Sequence, residues 1–142
     1  MNTLVIGIII AVGLLTVVIL LVIYNEESKQ LEYRLTLYQK HDVIVDGNIM
    51  TFTNDAKPWV MIKVNEYLKS PKNAEYLTVW GDFDQNSEYC IENESKCDRV
   101  LAYIYEDRNG IYHQGETFDW IDYTCDARCH LGFDPTVLKM RK

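Results

Sequence analysis

The chain begins with an unbroken apolar run. Residues 4–24, LVIGIIIAVGLLTVVILLVIY, contain no charged residue, proline, asparagine or glutamine. As a helix rising about 1.5 Å per residue, they are long enough to cross a hydrocarbon core of roughly 30 Å. From residue 25 the pattern becomes amphipathic, with Leu31, Leu35 and Tyr38 at i, i+4 and i+7, as on one stripe of a helix. Tyr33, Leu35 and Leu37 would also suit a strand, but a helical stalk continuing out of the span is the preferred reading.

From Val43 the period changes to two, and five strands are predicted. VIVDGNIMTF is a long first strand, interrupted by Gly47 where a bulge or bend is expected. WVMIKVNEYL alternates Val60, Ile62 and Val64 with Met61, Lys63 and Asn65, which implies one buried face and one wetter face. YLTVWGDF, RVLAYIYED and IYHQGETFDW follow, the last two joined across Asn109-Gly110, a hairpin signal because both residues tolerate positive φ. NDAKP and KSPKNAE read as turns, and DQNSEYCIENESKC as a polar connection.

These elements predict a mainly β domain, a five-stranded OB-like barrel carried on a single N-terminal transmembrane helix. A long bent strand, two hairpin partners, a longer connection and a final hairpin is the order such a barrel requires, although a sandwich fits the pattern too. The expected organisation is a membrane anchor over 1–24, a helical stalk over 25–41, and a disulfide-bonded barrel with a C-terminal tail over 42–142.

Charge and targeting signals refine this picture. A cleavable signal peptide would have a shorter apolar region, a basic start and small residues at its end; here no Lys or Arg precedes the span, and YNEESKQ follows it. The formal net charge is −7, and every charged side chain lies after the span. Such a surface repels phosphate backbones, so nucleic acid is not an expected partner. Lys29, Arg34 and Lys40 favour a cytoplasmic domain by the positive-inside tendency, but Glu26, Glu27 and Glu32 accompany them. Four cysteines in a small acidic domain argue for the extracytoplasmic side, and this is the orientation expected.

Three blocks carry a family resemblance. HDVIVDGNIMTF, WVMIKVNEYLKSPKNAEYLTVWGD and CDRVLAYIYEDRNGIY resemble the successive segments of the netrin-module superfamily, which includes the tissue inhibitors of metalloproteinases. The resemblance spans roughly residues 41–120 and implies an OB barrel outside the cell. It does not imply protease inhibition, because the Cys-x-Cys that carries inhibition in that family is absent here.

The segment CDARCHLGF, residues 125–133, bears the most suggestive chemistry. Haem attachment uses Cys-x-x-Cys-His, and here three residues separate Cys125 from Cys129. A dinuclear copper site would need a histidine where Phe133 stands, and a set built from Cys125, Cys129, His130 and His113 would strand Cys90 and Cys97. Two structural disulfides are expected instead, preferably Cys90 with Cys125 and Cys97 with Cys129, strapping the tail to the barrel. Asp82, Asp84, Asn86 and Glu88 alternate like the start of a calcium loop, but Ser87 and Asn93 stand where Gly and a bidentate Glu are needed. His41, His113 and His130 are scattered and read as surface residues. No cofactor is expected, and His113, His130, Asp82 and Asp84 remain minor metal candidates.

No hydrolase or phosphate-binding motif occurs, so an enzyme is not expected. Tyr67, Tyr76, Tyr103, Tyr105 and Tyr112 lie in or beside strands, where they form either a recognition face or ordinary cross-strand pairs. Within the span, Gly7 and Ala11 form a small-x-x-x-small pair, with Gly13 and Thr16 on an adjacent face, a pattern that lets another helix approach closely. The functional expectation is a non-catalytic accessory subunit of a larger membrane complex, with other membrane subunits and the lipid bilayer as partners. The alternative is a stand-alone tethered domain binding an extracellular protein or a metal such as copper or calcium.

Overall fold

Helix α1 runs without interruption over Thr3–Lys40. The computed structural model describes residues 2–53, 56–70, 72–81, 99–121 and 125–139. They divide into two units, Met1–Leu35 and Thr36–Lys142. In the first unit α1 is apolar on all sides over its initial six turns, and its aliphatic side chains from Leu4 to Ile23 are exposed. It is long and apolar enough to cross a membrane.

The second unit is a closed barrel of five strands: β1 (Val43–Thr53), β2 (Trp59–Lys69), β3 (Tyr76–Trp80), β4 (Arg99–Glu106) and β5 (Tyr112–Trp120). The order around the barrel is β1-β2-β3-β5-β4, the OB arrangement expected from the sequence. All pairings are antiparallel except β3 with β5. Strand β1 pairs with both β2 and β4, and its register against β2 slips at three places. One slip falls between Asp46 and Gly47, as the glycine predicted. A Cβ at Gly47 would run into Ile62 and lie 2.7 Å from the Lys63 carbonyl oxygen. The bend therefore has room for glycine alone.

Alternation produces two cores. Val45, Ile62, Val79, Ala102 and Ile104 point into the barrel, whereas Ile44, Leu68, Leu101 and Tyr103 point outward and are also buried. The outward set is covered by Leu37 and Tyr38 from the last turns of α1 and by the C-terminal tail. The Lys69 ammonium donates to the carbonyl oxygens of Tyr38 (2.6 Å) and Gln39 (3.2 Å), capping carbonyls that the helix end leaves without partners. Burial lowers the pKa of that lysine.

The hairpin between β4 and β5 differs from the two-residue turn that Asn109-Gly110 suggests. Gly110 has φ +76°, and no other residue type takes positive φ among the described residues. The loop instead hangs on Asp107, whose carboxylate accepts from the backbone N–H groups of Asn109 (2.8 Å) and Ile111 (3.0 Å). This is the longer type of hairpin loop, with glycine closing it.

The tail forms two short helices, α2 (Ala127–Leu131) and α3 (Pro135–Lys139). Asp126 caps α2 by accepting from the Cys129 N–H at 3.0 Å, and Gly132 ends it at φ 74°. The disulfide expectation is corrected here. Cys125 is bonded to Cys129, not to a cysteine of the 82–98 connection. One helical turn sets their Cα atoms 5.7 Å apart, within ordinary bridging distance. The tail is held to the barrel by apolar contacts, with Ala127 and Leu131 buried and Phe133 meeting Tyr38 edge-on at 5.5 Å. Cys90 and Cys97 lie outside the described residues.

Candidate functional site

The outer surface of the barrel has two differently treated regions. Where β1 and β4 run past the end of α1, the chain covers its own outward side chains, as described above. Along β1, β2 and β3 the outward positions form three cross-strand rows: Thr53, Trp59 and Trp80, all half-buried; then half-buried Met61 between exposed Thr51 and Thr78; then exposed Lys63 with Tyr76. Period-two alternation sends Val60 and Ile62 inward and leaves Trp59, Met61 and Lys63 outward. Trp59 and Trp80 meet directly across the β2–β3 register, their rings 6.5 Å apart and tilted by 58°. Both are partly exposed, Tyr76 is 46% exposed, and Met50 at the β1 irregularity is 54% exposed.

The electrostatics of this face differ from those of the chain as a whole. None of the outward residues in the three rows is a carboxylate, and the charge present is Lys63, with Lys57 exposed in the preceding turn. Several described carboxylates elsewhere on the barrel are engaged, while Glu75 beside Tyr76 is exposed. Asp46 is 4% exposed and takes a two-pronged ion pair from Arg99, with Asn65 donating to it at 3.4 Å. That bond raises the pKa of the Arg99 guanidinium. Glu66 pairs with Arg128 of the tail at 2.6 Å, and Glu106 with Lys72, which also lies 5.2 Å over the Tyr112 ring. The Glu106 bond is the main cause of a raised Lys72 pKa. These groups hold elements together rather than facing a ligand.

The chain matches no family model, no curated protein and no solved structure.

The structure disperses the residues that chemistry alone singled out. The sulfurs of Cys125 and Cys129 are consumed by their mutual bond. His130 sits in α2, its Nε2 buried without a hydrogen-bond partner, while His113 on β5 pairs with Asp107 at 3.1 Å. No group of three potential metal-ligating side chains occurs among the described residues. Asp82 and Asp84 lie outside them. Gly7 and Gly13 lie on the apolar part of α1 with open space where a Cβ would stand, and Ala11 is exposed between them.

One expectation is corrected. His41 is not a surface residue. It is fully buried, its Nδ1 2.7 Å from the Leu37 carbonyl oxygen and its ring 4.5 Å from that of Tyr105. The tyrosines do not share one face. Tyr103 is fully buried, Tyr67 and Tyr112 pack against the barrel interior, and Tyr76 alone of the five is strongly exposed. Burial raises the pKa of Tyr67, whose hydroxyl donates to the Ala74 carbonyl at 2.6 Å. The aromatic pair on the outer β2–β3 face is instead Trp59 with Trp80. Their signal was present in the alternation, since Trp59 shares the parity of Met61 and Lys63.

Proposed function

We propose that this chain is a non-catalytic, single-pass accessory or structural subunit of a larger membrane complex, with its barrel on the extracytoplasmic side. The observation that carries this reading is a 38-residue helix whose apolar part is bare and joined in one chain to a folded barrel. Such a helix is dissolved by lipid, and small residues at Gly7, Ala11 and Gly13 let a second helix approach. The Cys125–Cys129 disulfide supports the outer side, because such bonds persist in oxidising compartments. The netrin-module resemblance points the same way.

The test is a native gel of the full chain extracted in mild detergent from its own membrane, followed by mass spectrometry. A stoichiometric assembly with other membrane proteins is the expected result, and a clean monomer refutes the proposal. The second reading, a stand-alone tethered binding domain for an extracellular protein, is favoured by the partly exposed Trp59–Trp80 pair on the outer face. Its copper version loses Cys125 and Cys129 as ligands to their mutual disulfide. Elemental analysis of the purified full chain checks it, and a stoichiometric transition metal would restore it.

A further inference from the structure

Building on the subunit reading, we infer that the outer face of β1–β2–β3, centred on Trp59, Met61 and Trp80 and edged by Lys63, is the docking surface for a partner subunit that presents an apolar patch bordered by carboxylates.

Composition and charge specify this partner. Tryptophan, methionine and tyrosine are the side chains that dominate protein interfaces, because they bury much surface for few frozen rotors. Here they are clustered by register, with Trp59 against Trp80 and Met61 against Thr78. On a chain of net charge −7, this face has lysine at its edge and no carboxylate in its rows. It is therefore complementary to an acidic rim. A second copy meeting the same face would set Lys63 and its neighbours against themselves between two acidic proteins, which opposes self-pairing.

Size supports a partner held in the same membrane. Three strands about 4.8 Å apart and five residues along β2 give a footprint of roughly 200 Å², well below the roughly 800 Å² per side of a self-sufficient interface. A face this small binds weakly from solution. It becomes effective when a membrane anchor has already confined both proteins, which raises their effective concentration.

The experiment places a photo-cross-linking amino acid at Thr78, an exposed position on this face, in the full chain expressed in its native membrane. A cross-link to one other membrane protein, in a segment where Asp or Glu flanks apolar residues, is the expected result. Yield should fall about tenfold in Trp80→Ala and about fivefold in Lys63→Glu, while Lys63→Arg keeps it. Thr51→Glu changes an exposed side chain with no role in the core, so loss of the cross-link in that variant cannot be blamed on unfolding.

A cross-link to a second copy, to lipid, or to nothing overturns the inference, as does a yield indifferent to Lys63→Glu and Thr51→Glu. If the native gel shows an assembly but Thr78 yields no cross-link, the docking face is wrong and the subunit reading stands. If the gel shows a monomer, both fall.

Discussion

Arg99 clasps Asp46 from the neighbouring strand, its Nε 3.0 Å from one carboxylate oxygen and a terminal nitrogen 2.6 Å from the other. The aspartate side chain is 5% exposed and the arginine 33%, so the pair is sunk at one end and wet at the other. Removing one partner leaves the other without compensation. Asp46→Ala leaves a solvated arginine, whereas Arg99→Ala leaves a buried carboxylate. Arg99→Ala should therefore cost more, about 3 kcal/mol against about 2 kcal/mol. Replacing both, as Asp46→Leu with Arg99→Met, should recover most of that loss. Urea unfolding of the two single variants and the double variant checks the order.

Gly115 lies under the ring of His41. A Cβ there would run into His41 Nε2 and come within 2.5 Å of Cδ2 and 2.7 Å of the Tyr103 carbonyl oxygen. The backbone oxygen cannot step aside as a side chain would. Gly115→Ala should destabilise the barrel by about 2–3 kcal/mol through overpacking. Adding His41→Ala should relieve only part of this, because the clash with Tyr103 remains. A double-mutant cycle measured by thermal unfolding separates the two contacts.

Acid should loosen the β4–β5 hairpin and the tail first. Bonds from the Ile111 backbone N–H, then from His113 and Asn109, hold the Asp107 carboxyl below its usual pKa. The hydroxyl and then the backbone N–H of Thr136 do the same for Asp134. A carboxyl depressed in the folded state binds fewer protons there than in the unfolded chain. Its stabilisation is thus complete above the unfolded value, about 3.9, and disappears as pH falls through the folded value. The Tm should decline below about pH 5. Asp107→Asn, lower in Tm at pH 7, should show a shallower decline. An unchanged slope would remove Asp107 as a cause.

The Cys125–Cys129 bond closes a ring of one helical turn. By loop entropy such a ring contributes about 2 kcal/mol, against more than 4 kcal/mol for a bond that closes a loop of about 100 residues. Cys125→Ala with Cys129→Ala should therefore cost about 2 kcal/mol and leave the barrel folded. Peptide mapping of the unreduced protein should yield these two cysteines linked to each other. A link from either one to Cys90 or Cys97 would show the local pairing to be wrong.

The five strands were legible in the sequence because burial on one face imposes alternation, and turn residues punctuate it. Each strand lies within a few residues of its expected place, and the bend at Gly47 occurs where the glycine stands. What was hidden depends on contacts between distant segments. Helices of five residues, such as α2 and α3, have too few turns to show a period. Cysteine connectivity is not contained in spacing, and i,i+4 pairing becomes natural only once that turn is known to be helical. His41 reads as polar but is enclosed by Tyr105, Tyr103 and Gly115, which come from strands more than 60 residues away. The tryptophan face was half legible. The alternation that sends Met61 and Lys63 outward extends to Trp59, but its meeting with Trp80 needed the β2–β3 register.

The barrel closes along its shortest seam. Strands β3 and β5 pair at Val79 with Tyr112 and at Trp80 with His113, whereas β1 is matched along most of its length on both sides. A ring fastened so unevenly does not come apart everywhere at once. The sheet centred on β1 should set the slowest amide exchange, and the β3–β5 closure should open and reseal on its own at lower cost. Trp80 belongs both to that seam and to the outer β1–β2–β3 face. A partner docked on that face would therefore also hold the ring shut, and occupancy should register as slowed hydrogen exchange at Val79 and Trp80.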